Sequence, residues 1–199
     1  MARDKKKAEN EGAAIVFADE SGFSLRPSVR RTWAPRGQTP RIKHNFNWKR
    51  LHAVGAIGLR QDRGDPRLHL QVQAKGADAD SCIFFIDSLH QAFEGHVILI
   101  WDSLPAHRSK KVSEHIAKQS WLSLERLPAY APELNPVEYL WASLKTKHVA
   151  NACDEFLSTL TDRIQRAYDR YSREPEVLRG FLKAAKLYNK DEFSFSVSQ

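Results

Sequence analysis

The sequence predicts an α/β domain in which buried strands alternate with amphipathic helices. Two uninterrupted apolar runs, AAIVFA at residues 13–18 and HVILIW at residues 96–101, are typical of strands covered on both faces. Between them, apolar residues recur at helical spacing across residues 79–93 and predict a helix. A chain of 199 residues is long enough to form one domain whose core needs no disulfide or metal.

The composition favours a polyanionic partner. Lys and Arg number 31 against 24 Asp and Glu, a formal net charge of +7, which influences encounter with a partner rather than fold. Cys82 and Cys153 lie far apart and outside any zinc-binding pattern, so we expect free thiols. No apolar run approaches the roughly 20 residues of a membrane span, and the start of the chain does not resemble a signal peptide. We therefore expect a cytoplasmic protein that does not bind membranes.

A charged lead-in segment at residues 1–14 leads into the first predicted strand. The apolar run of this strand covers residues 13–18 and ends at Asp19, and the pair Ser21 and Gly22 predicts the turn that follows. Asp19 would then lie where a buried strand opens to solvent. An aspartate that caps a turn explains the position equally well.

Three further strands and a helix follow in the first half of the chain. Residues 28–39 predict a strand followed by a loop, and residues 51–59 predict another strand. Residues 68–72 alternate between apolar and polar side chains, as in a half-buried strand. The helix at residues 79–93 carries Asp87 and His90, which we place on its surface.

Cationic and aromatic side chains alternate between and around the early strands. They are Arg30, Arg31, Trp33, Arg36, Arg41, Lys43, Trp48, Lys49 and Arg50. Charged side chains meet phosphates and aromatic rings stack on unpaired bases, so this composition is typical of a groove that follows a nucleic-acid backbone. The alternative is a solvated hairpin whose tryptophans face the core.

The second apolar run repeats the pattern of the first. It ends at Asp102, and Pro105 then separates it from a helix that runs through His115 and Ile116. If the two strands are neighbours in one sheet, both aspartates lie at the same edge. A last short strand at residues 122–127 leads into the next motif.

The motif NPVE at residues 135–138 predicts the start of a buried helix. Asn135 is the expected N-cap, Pro136 the first helical residue and Glu138 the third. Asn-x-x-Glu also resembles a capping box, in which the glutamate bonds back to the N-cap N–H, so capping and catalysis are both open for Glu138. The apolar face consists of Leu140, Trp141 and Leu144.

Two packing helices complete the domain. One contains the stripe Ile164, Tyr168 and Tyr171, and the other follows Pro175. We place the domain at residues 15–188 and expect a disordered tail at residues 189–199.

Two of the three candidate carboxylates, Asp19 and Asp102, therefore occur at predicted strand ends, and the third, Glu138, occurs at a helix start. Asp19, Asp102 and Glu138 could hold a pair of divalent cations, since Mg²⁺ takes hard oxygen ligands and few carboxylates per ion. Two such ions clamp the attacking and leaving oxygens of a phosphoryl displacement. We do not expect the nearby Glu20 and Glu133 to replace the assigned ligands.

Four motifs, ADESGFSL, RTWAPRGQTP, WDSLPAHRS and LPAYAPELNPVEYLW, occur in this order within about residues 15–147. Together they resemble the catalytic half of DDE transposases, specifically the bacterial insertion-sequence branch related to the mariner superfamily. The resemblance implies an RNase H-like fold: a mixed five-stranded sheet with antiparallel first strands and helices on both faces. It also implies that Asp19, Asp102 and Glu138 form the catalytic triad and bind two Mg²⁺ or Mn²⁺ ions.

The same resemblance implies that the protein cuts DNA at element ends and joins those ends to a short TA target. DNA, as element end and as target, is the implied partner. His107 and Arg108, just beyond Asp102, join the predicted DNA contacts, and a satisfied loop histidine is the alternative for His107. Ser103 stands where this group usually has asparagine.

The lead-in before the first strand is too short for the helix-turn-helix domain that recognises element ends. The chain therefore resembles the second reading frame of a split transposase gene, or a truncated copy. The expected partner is an upstream helix-turn-helix product, joined by frameshifting or by association, and a homodimer is left open. Two other functions remain: a non-catalytic DNA-binding or regulatory fragment, and an RNase H-like endonuclease without strand transfer.

Overall fold

The computed structural model describes residues 12–26, 28–43, 47–60, 64–73, 76, 78–128 and 131–187. Most of the predicted lead-in and the whole predicted tail at residues 189–199 lie outside these residues. Within the described part of the chain, no helix has the length and apolar character needed to cross a membrane.

A mixed five-stranded sheet forms the centre of the fold. Its strands are β1 (Ala14–Ser24), β2 (Arg50–Arg60), β3 (Arg67–Gln73), β4 (Val97–Trp101) and β5 (Leu122–Arg126). The order across the sheet is β3-β2-β1-β4-β5. The pairs β1–β2 and β2–β3 are antiparallel, whereas β1–β4 and β4–β5 are parallel. This arrangement confirms the predicted RNase H-like sheet.

Among the residues that the structure describes, five α-helices surround the sheet. They are α1 (Ala79–Ala92), α2 (Lys110–Ala117), α3 (Pro136–Ser143), α4 (Leu157–Arg173) and α5 (Pro175–Ala184). Two 3-10 turns and one π-helical turn join them, at Ala106–Arg108, Pro132–Leu134 and Leu144–His148. The predicted helices at residues 79–93 and after Pro105 are confirmed, as are the two packing helices.

Each face of the sheet has its own apolar core. Successive side chains of a strand point to opposite faces, so Ala14, Val16 and Ala18 pack with α1 and α2, while Ile15 and Phe17 pack with α3, α4 and α5. All five side chains are buried. Burial on both faces explains why the run at residues 13–18 has no polar position.

Strand β1 is longer than the sequence predicted. Instead of turning at Ser21 and Gly22, it stays paired with β2 as far as Ser24, opposite Arg50. The pairing with β4 ends earlier, at Phe17 opposite Ile100. Asp19 therefore lies within β1, just beyond the point where its parallel neighbour ends, and the predicted turn is wrong.

The predicted strand at residues 28–39 is also wrong. Residues 28–43, here called the arm, contain no strand and are exposed throughout. Trp33 is completely exposed and Trp48 is 63% exposed. The interpretation of this region as a hairpin with core-facing tryptophans is therefore excluded. The base of the arm is held by Asn151, whose side chain accepts a hydrogen bond from Arg30 N (2.8 Å) and donates one to Arg30 O (3.0 Å).

Two glycines should respond oppositely to alanine. A Cβ at Gly58 would lie 2.1 Å from Cε1 of Phe93, whereas one at Gly180, within α5, would meet nothing within 4 Å. We expect Gly58→Ala to lower the free energy of unfolding by about 2 kcal/mol through overpacking. Gly180→Ala should raise it by about 0.5–1 kcal/mol, because helical glycine has a high entropic cost. Urea unfolding of both variants measures the difference; equal midpoints would contradict the close packing of Gly58 on Phe93.

Candidate active site

The sheet brings the two predicted aspartates to one edge. Strands β1 and β4 are parallel neighbours, so Asp19 in β1 and Asp102, directly after β4, emerge on the same side of the fold. The adjacency that the sequence analysis required is therefore present.

Helix α3 is tied to the same edge by Asn135. Its side-chain Nδ2 donates to Ala18 O (3.1 Å) and its Oδ1 accepts from Val137 N (3.1 Å), which makes it the N-cap. The backbone N–H of Asn135 donates to Pro132 O (2.9 Å). Because that N–H already has an acceptor, Glu138 is not needed to close a capping box. Its exposed carboxylate lies close enough to Asp19 to repel the charge of that side chain.

One cleft of about 300 Å³ contains all three predicted carboxylates. Asp19, Asp102 and Glu138 line it together with Ser103 and Asn135. The rest of the lining comes from the connection between β5 and α3, at residues Leu127, Pro128, Ala131 and Pro132. Acidic side chains from strand β1, from the residue directly after β4 and from helix α3 thus converge on a single opening.

The indole of Trp141 holds Asp19 in place. Trp141 Nε1 donates to Asp19 Oδ2 (2.8 Å). Its ring packs against Gly55, the β2 residue opposite Asp19, and a Cβ there would lie 2.8 Å from the indole. The expectation that Trp141 is a core residue is confirmed, since it is 2% exposed. The structure adds a polar role that the apolar spacing of α3 does not reveal.

Asp19 is a carboxyl group whose charge the fold disfavours. Burial, and after it the negative charge of Glu138, raise its pKa to about 7 against the opposing hydrogen bond from Trp141. Burial and a like charge both favour the protonated form. A cation bound between these carboxylates would relieve both penalties.

The pKa of Asp102 is shifted in the opposite direction, below its usual value. Burial alone would raise its pKa, but hydrogen bonds from His107 and from Leu104 N (3.1 Å) outweigh burial and hold the pKa below its usual value. Arg126 adds a positive charge nearby and donates to the backbone oxygen of Asp102 (2.6 Å). Asp102 is therefore ionised at neutral pH.

His107 lies between two carboxylates and is completely buried. Its Nδ1 is 2.6 Å from Asp102 Oδ1 and its Nε2 is 2.8 Å from Glu20 Oε1. Burial by itself lowers the pKa of His107, but hydrogen bonds with Asp102, Cys82 and Glu20 raise it to about 11. The ring is thus a cation. The prediction that His107 contacts DNA is wrong in this arrangement, because no part of it reaches the surface.

Glu20 and Arg126 belong to this site, although neither is among the predicted site residues. Glu20 follows Asp19 and so points to the opposite face of β1, where it meets His107 rather than the cleft. Arg126 ends β5 and donates to the backbone oxygens of Asp102 and His107. The alternation along β1 could have placed Glu20, whereas nothing in the sequence pattern indicates Arg126. Glu133, also considered, is exposed in a 3-10 turn.

Glu20, Cys82 and His107 have potential ligand atoms within 4.8 Å of one another. This composition resembles a transition-metal site. However, both ring nitrogens of His107 already face carboxylate oxygens, which only accept hydrogen bonds. The ring then has no lone pair for a metal, and these contacts are ion pairs between a buried histidine and two partly buried carboxylates.

The remaining predicted DNA contacts are exposed but do not line the cleft. Arg30, Arg31, Trp33, Arg36, Arg41 and Lys43 lie on the arm, and Lys49 and Arg50 lie where the chain enters β2. Arg108 is exposed beside the buried His107. Their accessibility is compatible with a nucleic-acid contact, which stays a prediction.

The sheet order and the helices on both faces define an RNase H-like domain, and comparison with known proteins identifies the family. Residues 14–161 match the family described as DDE superfamily endonuclease. The chain belongs to this family.

The relatives agree with this assignment. A 39 kDa uncharacterized protein of insertion element IS630 from Shigella sonnei is 22% identical over 174 residues, which cover 85% of this chain and 48% of that protein. The chain thus spans about half the length of this curated relative.

Solved structures of the Mos1 transposase have the same fold. The Mos1 strand transfer complex matches with a TM-score of 0.63 and 20% identity, covering 93% of this chain and 55% of that one. The Mos1 catalytic domain matches with a TM-score of 0.52 and 17% identity, covering 95% of this chain and 89% of that one. At this identity the likeness shows the fold.

Proposed function

We propose that this chain is the catalytic part of a DNA transposase that uses Asp19, Asp102 and Glu138 to cut element ends and join them to target DNA. The observation that carries the proposal is the convergence of these three carboxylates on one cleft. Membership of the DDE superfamily endonuclease family supports phosphodiester cleavage as the reaction class. One matched structure is a Mos1 strand transfer complex, which favours joining after cleavage over hydrolysis alone.

Two divalent cations, Mg²⁺ or Mn²⁺, suit this cleft. Burial and then the charge of Glu138 raise the pKa of Asp19, so a bound cation would stabilise its ionised form. All three side chains offer the hard oxygen ligands that these ions prefer. Two of the matched Mos1 complexes are described with Mn and with Mg. When bound, the ions would activate the attacking oxygen and stabilise charge on the leaving oxygen. The chain's own part is to hold Asp19 in β1, Asp102 at the end of β4 and Glu138 in the first turn of α3 around one cleft.

DNA is the proposed partner, and the arm is the proposed contact surface outside the cleft. Its arginines and Trp33 are exposed and available to phosphates and bases. We also propose that recognition of element ends is supplied by an upstream helix-turn-helix product, fused or associated. The coverage of about half of the IS630 relative is compatible with such a division.

Glu138 allows a direct test with a matched control. Glu138→Gln keeps size and helix position but removes the charge, so we expect cleavage of labelled DNA in Mg²⁺ or Mn²⁺ to fall about 50-fold through weaker metal binding. Glu133→Gln changes an exposed glutamate in the preceding 3-10 turn, outside the cleft lining. It should cleave as the parent protein does.

The reaction products distinguish a transposase, which joins DNA strands, from an endonuclease, which only cuts them. A TA-containing target plasmid added to the reaction should yield joined products if the chain transfers strands, and only nicked DNA if it is an endonuclease. Equal cleavage by Glu138→Gln and the parent protein would exclude Glu138 from the triad. Absence of both cleavage and metal binding in the parent would favour the non-catalytic DNA-binding fragment.

A further inference from the structure

The imidazole of His107 connects the cleft to a carboxylate behind it. Its two hydrogen bonds reach Asp102 Oδ1 (2.6 Å) and Glu20 Oε1 (2.8 Å). Leu104 N also donates to Asp102 Oδ1 (3.1 Å). The hydrogen bonds from His107 and Leu104 use the same oxygen of Asp102, and among the described residues no hydrogen bond occupies Oδ2. One oxygen is thus fixed by the protein while the other is available in the cleft.

We propose that His107 and Glu20 are positioning residues that fix the carboxylate of Asp102 for metal binding. The inference rests on the proposed function, because it requires Asp102 to be a ligand. Nδ1 faces Asp102 and Nε2 faces Glu20, so the ring is held between two carboxylates and Glu20 fixes its far side. The ring and Leu104 N contact the same oxygen of Asp102, which limits rotation of that carboxylate.

The surroundings of His107 restrict its movement. The ring stacks on Trp101, with 3.7 Å between ring centroids and an interplanar angle of 24°. Arg126 donates to the backbone oxygens of Asp102 (2.6 Å) and His107 (3.1 Å), the two ends of the loop. A buried, stacked ring on a clamped loop can hold a ligand in one rotamer. Removal of a residue that hydrogen-bonds to a metal ligand typically lowers metal affinity by about 10–100-fold.

Two substitutions at His107 separate positioning from packing. The amide nitrogen of asparagine can occupy the place of Nδ1 and still donate to Asp102, whereas that of glutamine lies nearer the place of Nε2 and reaches Glu20. Both replacements remove the ring that stacks on Trp101. We expect His107→Gln to weaken Mn²⁺ binding by about tenfold, the lower end of the range for residues that orient a metal ligand. His107→Asn, which keeps a donor to Asp102, should weaken binding clearly less.

The experiment measures Mn²⁺ binding to the full chain without DNA. The concentration of free Mn²⁺ is monitored by its electron paramagnetic resonance signal. Thermal unfolding in EDTA establishes that each variant is folded. The matched control is His115→Gln, since His115 also pairs with an aspartate, Asp87 (2.7 Å), but outside the cleft. It should bind Mn²⁺ as the parent does. Glu20→Gln keeps an acceptor but loses the charge, so it should weaken Mn²⁺ binding measurably, by less than the roughly tenfold expected for His107→Gln. It serves as the test if His107→Gln does not fold.

The outcomes are distinct. If the parent binds Mn²⁺ and both His107 variants bind it equally well or are weakened to the same extent, the positioning role is wrong and the proposed function stands. Unchanged binding by a folded Glu20→Gln variant would remove Glu20 from the role. If the parent binds no Mn²⁺, the proposed function fails, and the inference fails with it.

Discussion

Asp19→Asn is expected to abolish cleavage while making the metal-free protein more stable at alkaline pH. The loss should be about 1,000-fold or more, because a neutral amide at one of the three proposed ligand positions is a poor ligand for divalent cations. The stability gain follows from removing a buried charge beside Glu138. Asparagine still has an oxygen that can accept the hydrogen bond from Trp141, so the local packing should survive.

The gain in stability depends on pH in a defined direction. The pKa of Asp19 is about 7 in the folded protein against an ordinary value of 3.8. The folded state therefore binds this proton more tightly than the unfolded state, and its contribution to stability declines as pH rises from about 4 to 7. Asparagine has no such proton. The advantage of Asp19→Asn should be near zero at pH 4 and reach on the order of 2 kcal/mol at pH 8, after allowance for partial exposure.

Thermal or urea unfolding in EDTA, for both proteins between pH 4 and pH 8, measures this difference. The raised pKa of His107 also makes stability decline as pH rises from its ordinary value of 6.5 towards about 11. That contribution is present in both proteins and cancels in the comparison. A constant difference between the two proteins at all pH values would contradict the burial of an ionisable Asp19 beside Glu138.

Removal of three arm charges is expected to weaken DNA binding by roughly 100-fold or more at 0.1 M salt. The variant replaces Arg31, Arg36 and Arg41, all exposed, with alanine. For each phosphate that is no longer neutralised, the slope of log K against log salt should also fall by about 0.9. Fluorescence anisotropy of labelled DNA across a salt series measures both quantities. The fold should be unaffected, because the arm contributes no strand to the sheet.

The control for the arm variant removes three positive charges from helices α4 and α5 instead. Arg166, Arg173 and Lys183 are exposed on α4 and α5, and their replacement by alanine should change affinity and slope little. Trp33→Ala should weaken binding to single-stranded DNA by about tenfold without changing the slope, since stacking releases no counterions. Equal losses for the arm variant and the helix variant would show that total charge, rather than the arm, determines affinity.

Much of the fold follows from local sequence. The apolar runs at residues 13–18 and 96–101 predict the central strands correctly, because side chains buried on both faces leave no polar position. Asn135 and Pro136 mark the start of α3 correctly through N-cap and first-turn chemistry. The errors occur where a partner decides the outcome: β2 extends β1 past Gly22, and the arm lacks the partner that a strand at residues 28–39 would need.

The sequence by itself determined the candidate ligands Asp19, Asp102 and Glu138, since each aspartate directly follows an uninterrupted apolar run and Glu138 lies at a recognisable helix start. Only the tertiary structure decided how these side chains are held and charged. Burial and Glu138 raise the pKa of Asp19, while His107 lowers that of Asp102. Such effects depend on distances between residues far apart in the chain, as for His107 and Glu20, and no local pattern encodes those distances.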